Sequence, residues 1–202
     1  MVLVACEFSG VVRDAFIERG HDAMSADLEE TERPGPHYRG DVRDVLADGF
    51  DLMVAHPPCT YLSRAGARWW SKPGRQEKAE AAAEFVQDLW RSPIPRVAIE
   101  NPVGMLNRLW RYPDQTIEPW MFDEPYSKRT CLWLRGLPPL MATVITEERR
   151  AWLPSNVGAG KRRGQKSQPG IARTAKDASR TFRGIAAAMA DQWGRERVEE
   201  VA

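Results

Sequence analysis

VLVACEFSGVVRDAFIERG, residues 2–20, carries the reading of the fold. Val2–Ala5 is a continuous apolar run of the kind required by a strand buried on both faces. Val11–Glu18 instead places Val12, Ala15 and Phe16 at three- to four-residue spacing, the period of a helix with one apolar face. Gly20 ends that helix. Between strand and helix lies Cys6-Glu7-Phe8-Ser9-Gly10, a loop whose glycine lets backbone approach a ligand beside a helix N-terminus.

The same alternation continues along the chain. Asp22–Asp27 reads as a second strand, Glu32–Gly40 as a Pro/Gly-rich loop, and Asp51–Ala55 as a strand stopped by Pro57 and Pro58. Gln76–Trp90 is a helix with an apolar stripe of Ala79, Ala82, Ala83, Val86 and Trp90, and it leads into the strand Arg96–Ile99. A short helix near Val103–Leu109, strands near Thr116–Trp120 and Thr130–Leu134, and a closing amphipathic helix at Arg183–Trp193 complete the pattern. Strands separated by helices predict an α/β fold with a mostly parallel sheet and helices on both faces. Ligands then bind at the carboxyl ends of the strands.

At 202 residues the chain suits one domain, 1–202, with its own core. Its 43% apolar and 28% charged residues fit a globular protein and argue against disorder. No apolar run approaches the roughly 18 residues of a membrane span, and no basic residues precede Val2–Cys6 as in a signal peptide. Cys6, Cys59 and Cys131 are too scattered for a disulfide framework or a zinc site, so free thiols in a reducing, cytoplasmic compartment are expected, with no metal. The net charge of +1 conceals a basic block: Arg149–Arg183 holds ten Lys/Arg against Asp177 alone. Such a block supplies phosphate contacts or forms a solvated, flexible loop, here at about 155–180.

Three polar clusters follow strands: Glu7-Phe8-Ser9-Gly10, His56-Pro57-Pro58-Cys59 and Glu100-Asn101-Pro102. Loops at one edge of one sheet bring them together. Asp27 and Asp41 follow strands and suit a ribose or an adenine amino group, or simply cap loops. Cys59, held after two prolines, is either an inert buried thiol or a nucleophile. Glu100 in a partly closed pocket is expected to have a raised proton affinity and to act as acid or hydrogen-bond donor. A thiolate beside such a carboxyl group is what attack on an electron-poor pyrimidine ring needs. Arg129 either fixes a carbonyl oxygen of that ring or lies along the surface. His56 either tunes the Cys59 thiol, sits near a phosphate or is a satisfied structural histidine, and His21 and His37 read as loop residues.

Phe8-Ser9-Gly10, Asp27, Gly40-Asp41-Val42, Pro58-Cys59, Glu100-Asn101 and Arg129 stand in the order of motifs that resembles the S-adenosylmethionine-dependent cytosine carbon-5 methyltransferases. Arg180–Trp193 is similar to their closing motif. The resemblance implies a Rossmann-like methyltransferase fold. It implies that Cys59 attacks ring carbon 6, Glu100 binds ring nitrogen 3, Asn101 lies at the substrate and Arg129 holds the 2-carbonyl. For the cofactor it implies Phe8, Ser9 and Gly10 at the methionine end, Glu7 on its amino group, Asp27 on the ribose, Asp41 on the adenine, and Pro58 alongside. The chain departs from the family at Thr60, Pro102 and Ser127, and the stretch between Trp133 and Arg180 is too short for a sizeable target-recognition domain.

DNA, single-stranded or duplex, is the first substrate implied. Arg64, Arg68, Trp69 and Trp70 then stack on the neighbours of a flipped base while Lys161, Arg162 and Arg163 grip phosphates. A free deoxycytidine nucleotide is the second, and a non-catalytic nucleic-acid-binding protein of the same fold is the rival. A dinucleotide-dependent dehydrogenase is disfavoured by the missing second and third fingerprint glycines.

Overall fold

The computed structural model describes residues 1–63, 71–152, 172 and 174–194. Arg64, Arg68, Trp69, Trp70, Lys161, Arg162 and Arg163 lie outside the described residues. The strands are β1 (Val2–Ala5), β2 (Ala23–Asp27), β3 (His37–Arg39), β4 (Leu52–Ala55), β5 (Arg96–Pro102), β6 (Gln115–Ile117), β7 (Tyr126–Ser127), β8 (Thr130–Arg135) and β9 (Arg150–Ala151). The helices are α1 (Val11–Ile17), α2 (Arg75–Trp90), α3 (Leu106–Leu109), α4 (Ala175–Ser179) and α5 (Arg183–Trp193).

Seven strands form one sheet in the order β3-β2-β1-β4-β5-β8-β6, and β7 pairs with β9 apart from it. Strands β1 to β5 are parallel, in the order 3-2-1-4-5 of a doubly wound Rossmann sheet. The fold is therefore α/β and Rossmann-like. It departs from that order at β8, which runs antiparallel to both β5 and β6.

Side chains that alternate across a strand divide the core into two layers. Val2, Val4, Leu52 and Val54 pack beneath α1 and α5, against Phe16, Ile185, Met189 and Trp193. Leu3, Ala5, Met53 and Ala55 face the other way, toward Ala83, Val86 and Leu89 of α2 and Leu106 of α3. The closing helix thus lies against the helix that follows the first loop. Its last turn is tied to the sheet where Arg96 donates to the carbonyl of Trp193 at 2.9 Å. Among the described residues, no helix is long and apolar enough to cross a membrane.

Four expectations change. The segment 32–40 is not all loop: β3 pairs with β2, and His37 is a strand residue whose Nδ1 lies 2.8 Å from the Ser25 hydroxyl. Three residues are too few for periodicity to reveal an edge strand. The strand Arg96–Ile99 runs on to Pro102, because antiparallel β8 pairs Glu100 with Leu132 and Asn101 with Cys131. Glu100 and Asn101 are strand residues, not loop residues. The strand expected at Thr116–Trp120 is only Gln115–Ile117, after which Pro119–Met121 forms a short 3-10 turn. Finally, α4 forms inside the segment expected to be a flexible loop, closed by a reciprocal Thr174–Asp177 capping box.

Candidate active site

The loop between β1 and α1 begins with Cys6 in the left-handed region at φ 58, a strained conformation for a residue with a side chain. That turn buries Glu7 beneath the N-terminus of α1. Its carboxylate accepts from Ser9 Oγ at 2.9 Å, from the Val12 amide at 2.8 Å and from the Arg13 amide at 3.3 Å. A carboxylate already occupies the helix end where a phosphate would bind, so the loop does not suit a dinucleotide pyrophosphate. Every one of these bonds is internal, so Glu7 shapes the loop and caps the helix.

Gly10 is required twice over. Its φ of +70 suits glycine, and a Cβ there would stand 2.6 Å from Arg13 Nη2. The Arg13 guanidinium is fully buried and donates to Asp14, Ser25, Thr31 and the carbonyls of Arg33 and Pro34. It thereby pins residues 31–36 against the first loop and sets up β3.

Asp27 ends β2, and Asp41 follows the neighbouring strand β3. Burial first, then the charges of these two aspartates, push the Cys6 thiol from 9.0 to about 12. Asp27 uses one oxygen on the Glu29 amide at 2.9 Å. Asp41 caps the 3-10 turn Val42–Val45 and is gripped by the Arg43 guanidinium, which holds its carboxyl below the ordinary range. Both of its oxygens are engaged by Arg43. Phe8 lies under the ammonium of Lys176, 4.5 Å from the ring centre. Lys176 also pairs with Glu29 and Glu32, and Arg180 pairs with Glu32, so α4 is strapped across this end of the sheet.

The second half of the site follows β4. Pro57 and the exposed Pro58 lead to Cys59, whose carbonyl accepts from the amides of Leu62 and Ser63 in a tight turn. That turn docks on the segment after β5 through the Met105 amide, which donates to the Leu62 carbonyl at 2.7 Å. Gly104 permits the approach, since a Cβ there would lie 1.9 Å from the Leu62 oxygen. Asn101, buried, donates to the Pro57 carbonyl at 2.8 Å. It thereby ties the loop that carries Cys59 to β5.

Glu100 sits beside the loop at 16% side-chain exposure, with Oε2 3.2 Å from Nδ1 of His56, itself 8% exposed. Burial raises the proton affinity of Glu100. The His56 hydrogen bond, the charges of Lys128 and His56, and the Thr130 hydroxyl outweigh it, and the carboxyl ends below its ordinary range. The raised affinity expected from a partly closed pocket is therefore reversed: the neighbours win over desolvation. Burial and the Glu100 charge raise the Cys59 thiol, with Lys128 pulling the other way. The resting pair is thus a neutral thiol and a carboxylate.

Arg129 is 67% exposed and pairs with Glu118 at 3.6 Å. The cation whose charge reaches both Cys59 and Glu100 is its neighbour Lys128, held by the Ala178 carbonyl at 2.8 Å. Sequence reasoning singled out His56 without placing it against Glu100, and missed Lys128. The signal for His56 was its place next to Pro57-Pro58-Cys59, and for Lys128 its place before β8.

No family model and no curated protein matches this sequence. Among solved structures the chain is similar to a prophage-encoded E. coli protein described as a candidate DNA modification methyltransferase, at 13% identity and a TM-score of 0.45. The match covers 72% of this chain and 51% of that one, so the chain spans about half the length of the structure it resembles.

Proposed function

We propose that this chain methylates carbon 5 of cytosine in DNA, using S-adenosylmethionine. The observation that carries the reading is the Glu100–His56 pair, 3.2 Å apart at the carboxyl ends of β5 and β4, whose carboxylate charge reaches the thiol of Cys59 in the loop after β4, beside the acidic loops that end β1 and β2.

Those loops fit the cofactor by charge. S-adenosylmethionine carries a sulfonium and an ammonium against one carboxylate, and Glu7, Asp27 and Asp41 surround the end of β1 with negative charge. A phosphate-bearing cofactor finds no free helix end there. Phe8, Ser9 and Gly10 would hold the methionine end and Asp27 the ribose, with Asp41 reaching the adenine only by sharing its carboxylate with Arg43. When bound, the group supplies an electrophilic methyl for carbon 5.

The remaining work falls to the chain. Cys59 adds through Sγ to ring carbon 6, which makes carbon 5 electron-rich. The thiol is neutral at rest and Glu100 is ionised, so the proton given up by Cys59 is the one ring nitrogen 3 needs, and Glu100 carries it. His56 donates to Glu100 and fixes its orientation. Lys128 offsets the negative charge that builds on sulfur or carboxylate. A water or hydroxide then takes the carbon 5 proton, the carbon 5–hydrogen electron pair forms the 5,6 double bond as Cys59 leaves as a thiolate, and ring nitrogen 3 returns its proton through Glu100 to that thiolate.

The test is methyl transfer from labelled S-adenosylmethionine to single-stranded and duplex DNA. Cys59→Ala is expected to abolish transfer while cofactor affinity, read by calorimetry, stays within about twofold, because Cys59 touches the base alone. Label retained by Cys59→Ala removes the nucleophile from the mechanism.

A further inference from the structure

A cavity of about 320 Å³ opens two residues beyond the nucleophile, lined by Tyr61, Lys72, Pro73, Gly74, Arg75 and Lys78. Among the described residues no carboxylate lines it. The Tyr61 ring gathers two cations, Arg75 at 4.6 Å and Lys78 at 5.6 Å from its centre. Bringing like charges to one ring without an anion is unfavourable, and the cation–π attraction offsets only part of it. The cavity also borders the N-terminus of the sixteen-residue helix α2, where the Arg75 amide donates to the Lys72 carbonyl at 3.1 Å and Gly74 leaves the amides of Gln76 and Glu77 without a capping side chain. Arg75 donates through Nη2 to the Thr60 carbonyl at 2.7 Å, while its Nε is buried with no hydrogen-bond partner. Fixed cations, open amides and an unmet donor all lack one thing, a compact anion.

We propose that this cavity is a phosphate site which seats the phosphate next to the base that Cys59 attacks. Two residues span at most about 7 Å of chain, so the phosphate bound here belongs to the target nucleotide or its neighbour. The inference rests on the reading of Cys59 as a nucleophile toward a nucleotide base. It also gives that reading an anchor within the described residues. The phosphate is either a diester of a DNA strand or the monoester of a free nucleotide, since the chemistry of the cavity is the same for both.

The experiment uses Lys78→Gln in the full chain, because Lys78 is exposed and its ammonium lies over the Tyr61 ring. Binding of a short single-stranded oligonucleotide with one cytosine is measured over a range of salt concentrations, beside deoxycytidine monophosphate and deoxycytidine. Loss of one phosphate contact to a single strand reduces the salt slope by about 0.7, which is about fivefold in affinity at 0.1 M salt. A neutral methylphosphonate at the linkage beside the cytosine is expected to weaken the wild type by a similar factor and leave Lys78→Gln unchanged. If only the monophosphate, and not deoxycytidine, loses affinity in the variant, the phosphate site stands and its source is a free nucleotide. Equal affinity and slope for both proteins on both phosphate ligands overturns the proposal. Methyl transfer with no Lys78 effect refutes the phosphate site alone, whereas a Lys78-dependent slope without any methyl transfer refutes the catalytic reading alone.

Discussion

Substitution of Gly10 by alanine tests whether the first loop is built as described. The residue sits at φ +70, which costs an alanine about 1–2 kcal/mol. The added methyl would also stand 2.6 Å from Arg13 Nη2, the nitrogen that donates to Arg33 and Pro34 at 3.1 and 3.2 Å. Moving it sacrifices at least one hydrogen bond from a buried charged donor, worth about 1.5–3 kcal/mol. Together these make Gly10→Ala about 3–5 kcal/mol less stable, or about 6–20 °C lower in melting temperature for a domain of this size. Gly20→Ala is the internal control. Its φ is +82 with open space around it, so it bears only the backbone cost of about 1–2 kcal/mol. Thermal unfolding of both variants, each also made in an Arg13→Met background, isolates the contact. In that background Gly10→Ala should cost no more than Gly20→Ala. The reasoning fails if Gly10→Ala is as stable as Gly20→Ala in the wild-type chain.

His56→Phe removes the donor that helps hold Glu100 below its ordinary proton affinity, so the acid limb of kcat/KM for methyl transfer should move to higher pH; a limb that stays in place assigns His56 no part in tuning Glu100. Cys6 has its folded value raised from 9.0 to about 12, so the folded state retains a proton that the unfolded chain loses. Its contribution to stability is whole below pH 9 and disappears as the pH rises toward 12. Denaturant unfolding at pH 8 and pH 10.5 should therefore show a smaller alkaline loss for Cys6→Ala than for the wild type, and equal losses would refute the assignment.

The residues of the first twenty positions were enough to place a strand, a polar loop and a helix, because burial on both faces and a single apolar helix face leave different periods in the sequence. The same logic located α2, β4 and the closing helix, and the rule that ligands gather at the carboxyl ends of parallel strands drew Asp27, Asp41, Cys59 and Glu100 toward one edge. What those groups do to one another depends on distances across the sheet, and sequence periodicity holds no such distances. Glu100 reads as a carboxyl raised by burial until β4 and β5, lying side by side, put His56 against it and β8 brings Lys128 near. The turn at Cys6 folds Glu7 under α1. Asn101 likewise turns out to hold the Pro57 carbonyl. Hydrophobic patterning is a local property and survives in the chain, whereas proton affinity and hydrogen-bond partnership are set by neighbours that only the folded sheet supplies.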